Sequence, residues 1–253
     1  SDDKTLYVAN SLEAAVQVID LERGNVRETW SLADEKPTLV RQGEAIFYDA
    51  RRSLDQWYSC HSCHQDGGSN AVTMDTLTDG SPFTKKAVLP LYSLNDTAPY
   101  AWHGWQPNLR VSLEKSLNTT MLGRTPSRIE VDALIAFLAT LKPPPNPEPA
   151  PLDQLTRGRA LFSGRAGCAT CHSGPNGTDS KLHDVGLGMP TDRYPTYNTP
   201  SLIGVYRKQL LLHDGRVNSL EALFEGPDHP AKILPAKLSP RDITDLIAYL
   251  KSL

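Results

Sequence analysis

The chain has four cysteines, Cys60, Cys63, Cys168 and Cys171, and each pair of them runs straight into a histidine. The two stretches are Cys60-His61-Ser62-Cys63-His64 and Cys168-Ala169-Thr170-Cys171-His172. Two thiols one helical turn apart can form thioethers to the two vinyl groups of one porphyrin. The adjacent histidine then falls under the iron as the proximal ligand, the attachment pattern of c-type haem. Zinc would need two further ligands per pair, or both pairs on one ion. Disulfides are the plain reading of four cysteines, but they give no reason for a histidine after each pair. The pairs sit 108 residues apart in similar contexts, which suits two separate sites. Two covalently attached haem c groups are therefore expected, with Cys60, Cys63, Cys168 and Cys171 as attachment residues and His64 and His172 as proximal ligands. His61 lies inside the covalent loop and is expected to point outward, without a role.

The elements that must position these motifs repeat as well. "RQGEAIFYDARR" (41–52) precedes the first motif and "TRGRALFSGRAG" (156–167) the second; each reads as an amphipathic helix. Downstream, "APYAWHGWQPNLRVSLEKSL" pairs with "QLLLHDGRVNSLEALF", with Gly104 and Leu109 matching Gly215 and Leu220 at a constant offset of 111. Each half closes on a helix that opens with Thr-Pro or Ser-Pro, an N-cap with proline at the first helical position. Leu134, Ile135, Phe137, Leu138 and Leu141 line one face of the first closing helix; Leu246, Ile247, Tyr249, Leu250 and Leu253 line the second.

The expected fold is mainly α: two tandem cytochrome c-like helical domains, each with one c-type haem, preceded by a short β-hairpin segment. Residues 1–36 alternate and are rich in β-branched residues, which predicts two strands with turns at Asn10-Ser11 and Glu22–Asn25. The first cytochrome domain is assigned to 37–142 and the second to 152–253. The linker between them, 143–151, belongs to "KPPPNPEPAP", in which six of ten residues are proline; it reads as a stiff extended segment. Twenty-six basic against 29 acidic residues give no case for nucleic acid or an anionic membrane as partner. No run of 18 apolar residues exists, so no membrane span is expected. No signal peptide is read at the start, which looks like a mature or trimmed end; c-type haem is attached outside the cytoplasm, so a periplasmic or extracellular location is expected.

The order helix, C-x-x-C-H, "PYAWHG", closing helix, C-x-x-C-H, "HDG", closing helix resembles the di-haem cytochrome c peroxidase and MauG superfamily over roughly 37–253. The N-terminal strands resemble part of a blade of a YVTN-type β-propeller, as in members fused behind one. The resemblance implies a reactive N-terminal haem, a C-terminal haem that feeds it electrons, and a tryptophan between them, at Trp102. A core aromatic is the competing reading of Trp102. The departures are marked. The family's aspartate after that tryptophan is His103 here. Its glutamine, proline and catalytic glutamate fall, counted without gaps, on Ser112, Ser116 and "TMLG" (120–123). Glu114 reads as a solvated helix-face charge. The positions before "HDG" that hold calcium in the family are Lys208 and Leu210, and calcium is not expected.

The sixth ligand decides whether each iron can meet a small molecule or only carries electrons. For the second haem the resemblance points to His229, with Met189 as the alternative; His213 matches a position near the propionates. For the first haem the candidates are Met121, His103 and Met74, or no ligand. His183 is read as a loop residue near the second haem. With the peroxidase residues displaced, the main functional reading is a di-haem cytochrome passing electrons to a redox protein partner, or within a larger propeller-containing chain. The alternative is a di-haem peroxidase or MauG-like oxidase that reduces hydrogen peroxide at the N-terminal haem. A third reading has the N-terminal strands pairing with another subunit.

Overall fold

The computed structural model describes residues 3–32, 36–75 and 84–253. Its frame is helical, with small strands. The chain opens on three antiparallel strands, β1 (Thr5–Asn10), β2 (Ala15–Asp20) and β3 (Asn25–Ser31), in the order β1-β2-β3. The sequence pattern predicts two strands, and the third is the addition. All seven residues of β3 are exposed, so it lacks the buried face that makes a strand legible. β2 carries the apolar side, with Val18 1% exposed, while Tyr7 and Trp30 pack on each other in the open.

Helix α1 (Leu39–Tyr48) leads toward the first motif and is capped by the Thr38 side chain, which accepts from the Arg41 N–H. The motif itself forms the short helix α2 (Cys60–Cys63), capped by Ser59. Two two-residue strands, β4 (Thr73–Met74) and β5 (Lys86–Ala87), pair beyond it. Helix α3 (Leu109–Lys115) runs on into a wider turn over Ser116–Thr120. The closing helix α4 (Arg128–Leu138) starts after Ser127, not at the Thr-Pro pair. Ser127 and Glu130 form a reciprocal capping box there, which satisfies two free N–H groups and outweighs Thr125. In the second half, α5 (Leu152–Ser163) leads toward the second motif. The strands β6 (Leu182–His183) and β7 (Tyr197–Asn198) follow, then α6 (Leu220–Glu225) and α7 (Pro240–Leu250). α7 begins as the sequence predicts, with Ser239 as cap and Pro240 at the first position.

The duplication extends to backbone detail. Tyr100 bridges Gln106 and Leu211 bridges Val217, both at the offset of 111. Ala101 and Leu212 have φ values of 69° and 65°, and Gly104 and Gly215 have 61° and 72°. Asn108 caps α3 and Ser219 caps α6, again 111 apart. Each closing helix packs on the helix before the motif of its own half, and each crossing depends on one glycine. A Cβ on Gly43 of α1 would lie 1.9 Å from the Ala133 carbonyl oxygen of α4. A Cβ on Gly158 of α5 would lie 2.0 Å from the Asp245 carbonyl oxygen of α7.

Phe47, Leu117, Met121, Leu134, Phe137 and Leu138 form the apolar cluster of the first half; Phe162, Val205, Leu220, Leu246 and Leu250 form that of the second. A third cluster joins the halves through Ala87, Trp102, Leu187, Tyr197 and Leu212. The proline-rich segment is laid against the second half. Asn146 donates to the Lys251 carbonyl at 3.0 Å, and Tyr206 donates to the Pro144 carbonyl.

Alanine is the better helix former, so Gly158→Ala in an open helix would stabilise by about 1 kcal/mol. At this crossing we expect the opposite sign, a loss of about 1–3 kcal/mol from overpacking. Thermal unfolding followed by circular dichroism should show a lower Tm for Gly43→Ala and for Gly158→Ala.

Candidate functional site

Two cavities flank a shared wall. The first, about 330 Å³, is lined by Cys60, Cys63, His64, Trp102, Gln106 and Met121 among others. The second, about 140 Å³, is lined by Cys168, Cys171, His172, Trp102, Lys208 and His229 among others. Trp102 and residues 198–201 belong to both linings, so one indole and one loop separate the cavities. The sequence reading treats Trp102 as either a core aromatic or an inter-haem residue. Here it is 8% exposed, packed in the joining cluster, and on the wall of both cavities.

Each motif histidine is oriented by a backbone carbonyl. His64 Nδ1 lies 2.9 Å from the Leu89 carbonyl oxygen, and His172 Nδ1 lies 3.0 Å from that of Gly177. A carbonyl can only accept, so Nδ1 carries the proton and Nε2 keeps its lone pair. A histidine that ligates a metal uses this arrangement. Burial pushes the His64 imidazole down to about 4 and lowers His172 as well, which keeps both neutral, as a ligand must be. Burial pushes the Cys60 and Cys168 thiols up to about 11, so neither is the ready thiolate of a redox dithiol.

The far sides of the two cavities differ. His229 lines the second, and its ring centroid lies 6.2 Å from that of His172. Burial, then the nearness of His172, lowers His229 to about 4. Met189, the alternative, is 41% exposed and is not among the lining residues. His183 lines the second cavity but is bonded to Asp179 at 2.8 Å. In the first cavity Met121 is 4% exposed and sits in the apolar cluster of that half. The Met74 sulfur lies 3.2 Å from Cys63 Sγ, on the side of the attachment thiols. His103 also lines the cavity, with Nδ1 2.9 Å from the Thr196 carbonyl oxygen and its ring against Tyr197. Among the described residues, the only carboxylate in that lining is Asp75. Glu114 is exposed. His61 is turned to the surface, stacked on Tyr48 and 3.3 Å from Asp66.

Two groups of residues on or behind the shared wall stand in arrangements that the sequence reading does not give. Lys208 Nζ lies 5.3 Å from the Trp102 ring centroid, and burial pushes its ammonium down to about 8. Behind Trp102, Asp192 gathers Lys86, Tyr197 and His213 onto one carboxylate. These four residues are scattered over 128 positions with no spacing to mark them, and only His213, within "HDG", stands out in the sequence.

Comparison with known proteins agrees with this geometry. Residues 155–253 match the cytochrome c family model. The chain is 27% identical to the methylamine utilization protein MauG of Methylorubrum extorquens, over 86% of this chain and 78% of that protein. It is 24% identical to hydrazine synthase subunit gamma of Kuenenia stuttgartiensis, with the same two coverages. A solved hydrazine synthase structure from that organism superposes with a TM-score of 0.75, at 21% identity over 87% of this chain and 89% of the other. The di-haem peroxidase BthA of Burkholderia thailandensis superposes at 0.63, with 17% identity over 88% and 87%. These likenesses support the MauG-like di-haem cytochrome c peroxidase superfamily. The cofactors are haem c groups, two of them. The residues fit: each cavity offers two thiols at its edge and a neutral imidazole with its Nε2 lone pair available. No helix among the described residues is long and apolar enough to cross a membrane.

Burial alone would raise the Asp192 carboxyl, but Lys86 at 2.6 Å, Tyr197 and the Met189 N–H hold it down to about 2. A value below that of the unfolded chain means stability that is present above about pH 4 and lost as pH falls toward 2. The contribution is on the order of 2 kcal/mol. We expect the Tm gap between the wild type and Asp192→Asn to be widest near neutrality and to narrow below pH 4, read by calorimetry across that range.

Proposed function

We propose that the chain is a di-haem oxidoreductase of the peroxidase or MauG-like oxidase type, built as two tandem cytochrome c-like units with one haem each. One group would be held by Cys60, Cys63 and His64, the other by Cys168, Cys171 and His172. The observation that carries the reading is the asymmetry across the shared wall. Two buried imidazoles that face one cavity at close range could hold one iron between them. His172 and His229 stand at 6.2 Å between ring centroids. His172 and His229 would then both hold the second group, which would supply electron transfer. The first cavity is the larger of the two, and among the described residues no second histidine is paired with His64 in this way. Cys60, Cys63 and His64 would hold the first group, which would supply the chemistry with hydrogen peroxide, and Trp102 lies on the wall between the two cavities. When bound, the haem supplies the redox chemistry. The chain supplies axial nitrogens, a closed apolar wall and the residue between the two groups.

The sequence alone favours electron transfer, because glutamate is absent from its family place; similarity to di-haem peroxidases and MauG moves the weight to the enzyme. Electron transfer stays as the second reading on one observation. Met121 lines the first cavity at 4% exposure, and its sulfur on that iron would close it. The periplasm or cell exterior is the proposed location, with a redox protein or a larger propeller-containing chain as partner. The open three-stranded sheet supports pairing with further strands, from such a chain or from another subunit.

The haem spectra decide between the readings. We expect one low-spin haem with two histidine ligands and one that is high-spin or binds carbon monoxide when reduced. Two low-spin haems inert to carbon monoxide and peroxide, even after half-reduction, would leave only electron transfer. His229→Ala should turn the second haem high-spin and leave the first unchanged; an unchanged spectrum would remove His229 as ligand.

A further inference from the structure

Tyr197 lies in β7, 5% exposed, and lines the second cavity. Its hydroxyl donates to Asp192 Oδ2 at 2.5 Å and lies 3.2 Å from His213 Nε2. The same carboxylate oxygen receives the Met189 N–H at 2.8 Å and lies 3.0 Å from His213 Nε2. The other oxygen receives Lys86 Nζ at 2.6 Å. Asp192 and His213 side chains are 2% and 1% exposed. The rings connect the phenol to the shared wall: Tyr197 to His213 at 4.3 Å between centroids, His213 to Trp102 at 6.3 Å. His103, on the first cavity, also packs against Tyr197, at 4.9 Å between centroids.

Tyr197 and Trp102 differ in what can become of a positive hole. The Trp102 Nε1–H donates to the Ala87 carbonyl at 2.7 Å, and a carbonyl oxygen is too weak a base to take that proton. Lys208 places an ammonium over the same ring, so a cationic indole would face a like charge. The phenol has a carboxylate in contact. Burial, then the Asp192 hydrogen bond, raises the resting phenol well above its ordinary range, so no phenolate stands ready. Loss of the electron and loss of the proton must go together.

We propose that Tyr197 is a proton-coupled redox residue that takes an oxidising equivalent from the haem pair and stores it beside Trp102. In the step, the phenol gives one electron to the oxidant, which is reduced by one. The phenol O–H bond breaks, and its proton crosses the 2.5 Å hydrogen bond to the Asp192 carboxylate. A neutral phenoxyl remains. One electron from a donor, with the same proton returning, restores the phenol. The proposal rests on the peroxidase reading for its oxidant, a haem oxidised by hydrogen peroxide, and on nothing else in it.

The test uses the full di-haem protein in two arms. In the first, it is mixed with hydrogen peroxide, freeze-quenched and examined by electron paramagnetic resonance. In the second, peroxide is omitted and a flash-excited ruthenium complex with a sacrificial acceptor serves as one-electron oxidant. A tyrosyl signal is expected that narrows when the protein is grown on ring-deuterated tyrosine. It should be lost in Tyr197→Phe and kept in Tyr194→Phe, whose ring is 40% exposed. Asp192→Asn, which keeps the phenol and removes the acceptor, should also lose it. A signal in the flash arm alone would sustain Tyr197 and sink the peroxidase reading. No tyrosyl signal in either arm, no narrowing on deuteration of the wild type, or a signal unchanged in Tyr197→Phe would overturn the proposal.

Discussion

One hydrogen bond in each half sets the terms for the rest: a buried imidazole donating through Nδ1 to a backbone carbonyl. With Leu89 and Gly177 as acceptors, each ring is held in one tautomer and one orientation, and its remaining nitrogen is a lone pair. The acceptors come from loops, so those loops must be as well placed as any helix. Leu89 is held beyond β5, and Gly177 lies in a turn whose Cβ position is filled by Leu202. Long irregular segments in this chain therefore carry the parts that a cofactor would feel first. A high proline content suits that use, because proline fixes φ and removes a donor, which limits what an unpaired backbone can do.

The shared wall shows how few residues separate the two cavities. Trp102 is packed like a core residue and lies on both linings at once. The two readings of it in the sequence were never exclusive, since a residue between two cavities has to be well packed to keep its position. What surrounds it is asymmetric in charge. A lysine sits over one side of the ring, and a carboxylate network lies behind the neighbouring histidine. Such a setting biases where positive charge rests, whichever function the protein performs.

Short-range chemistry made some features legible from the residues alone. The C-x-x-C-H motifs, the offset of 111 and the Ser239-Pro240 start of α7 are local patterns, and local patterns survive folding. The start of α4 moved because a complete capping box two residues later satisfies more of the helix end than Thr125 could. The third strand was missed because β3 buries nothing. The Asp192 network was out of reach for a different reason. Lys86, Asp192, Tyr197 and His213 meet only when the loops around the shared wall close, and no spacing rule links them. The resemblance drew attention to the place where a glutamate should be.

The duplicated turn has a further consequence. Trp102 and His213 occupy the same place in its two copies, 111 residues apart, and the copies meet so that these rings stand 6.3 Å from each other. Two identical turns would make a junction with no preferred sense, the same group facing itself. An indole on one side and an imidazole on the other give it a polarity. The asymmetry needs no new backbone. The two turns share their bridge and their positive-φ positions, and their side chains alone make the two sides of the junction different.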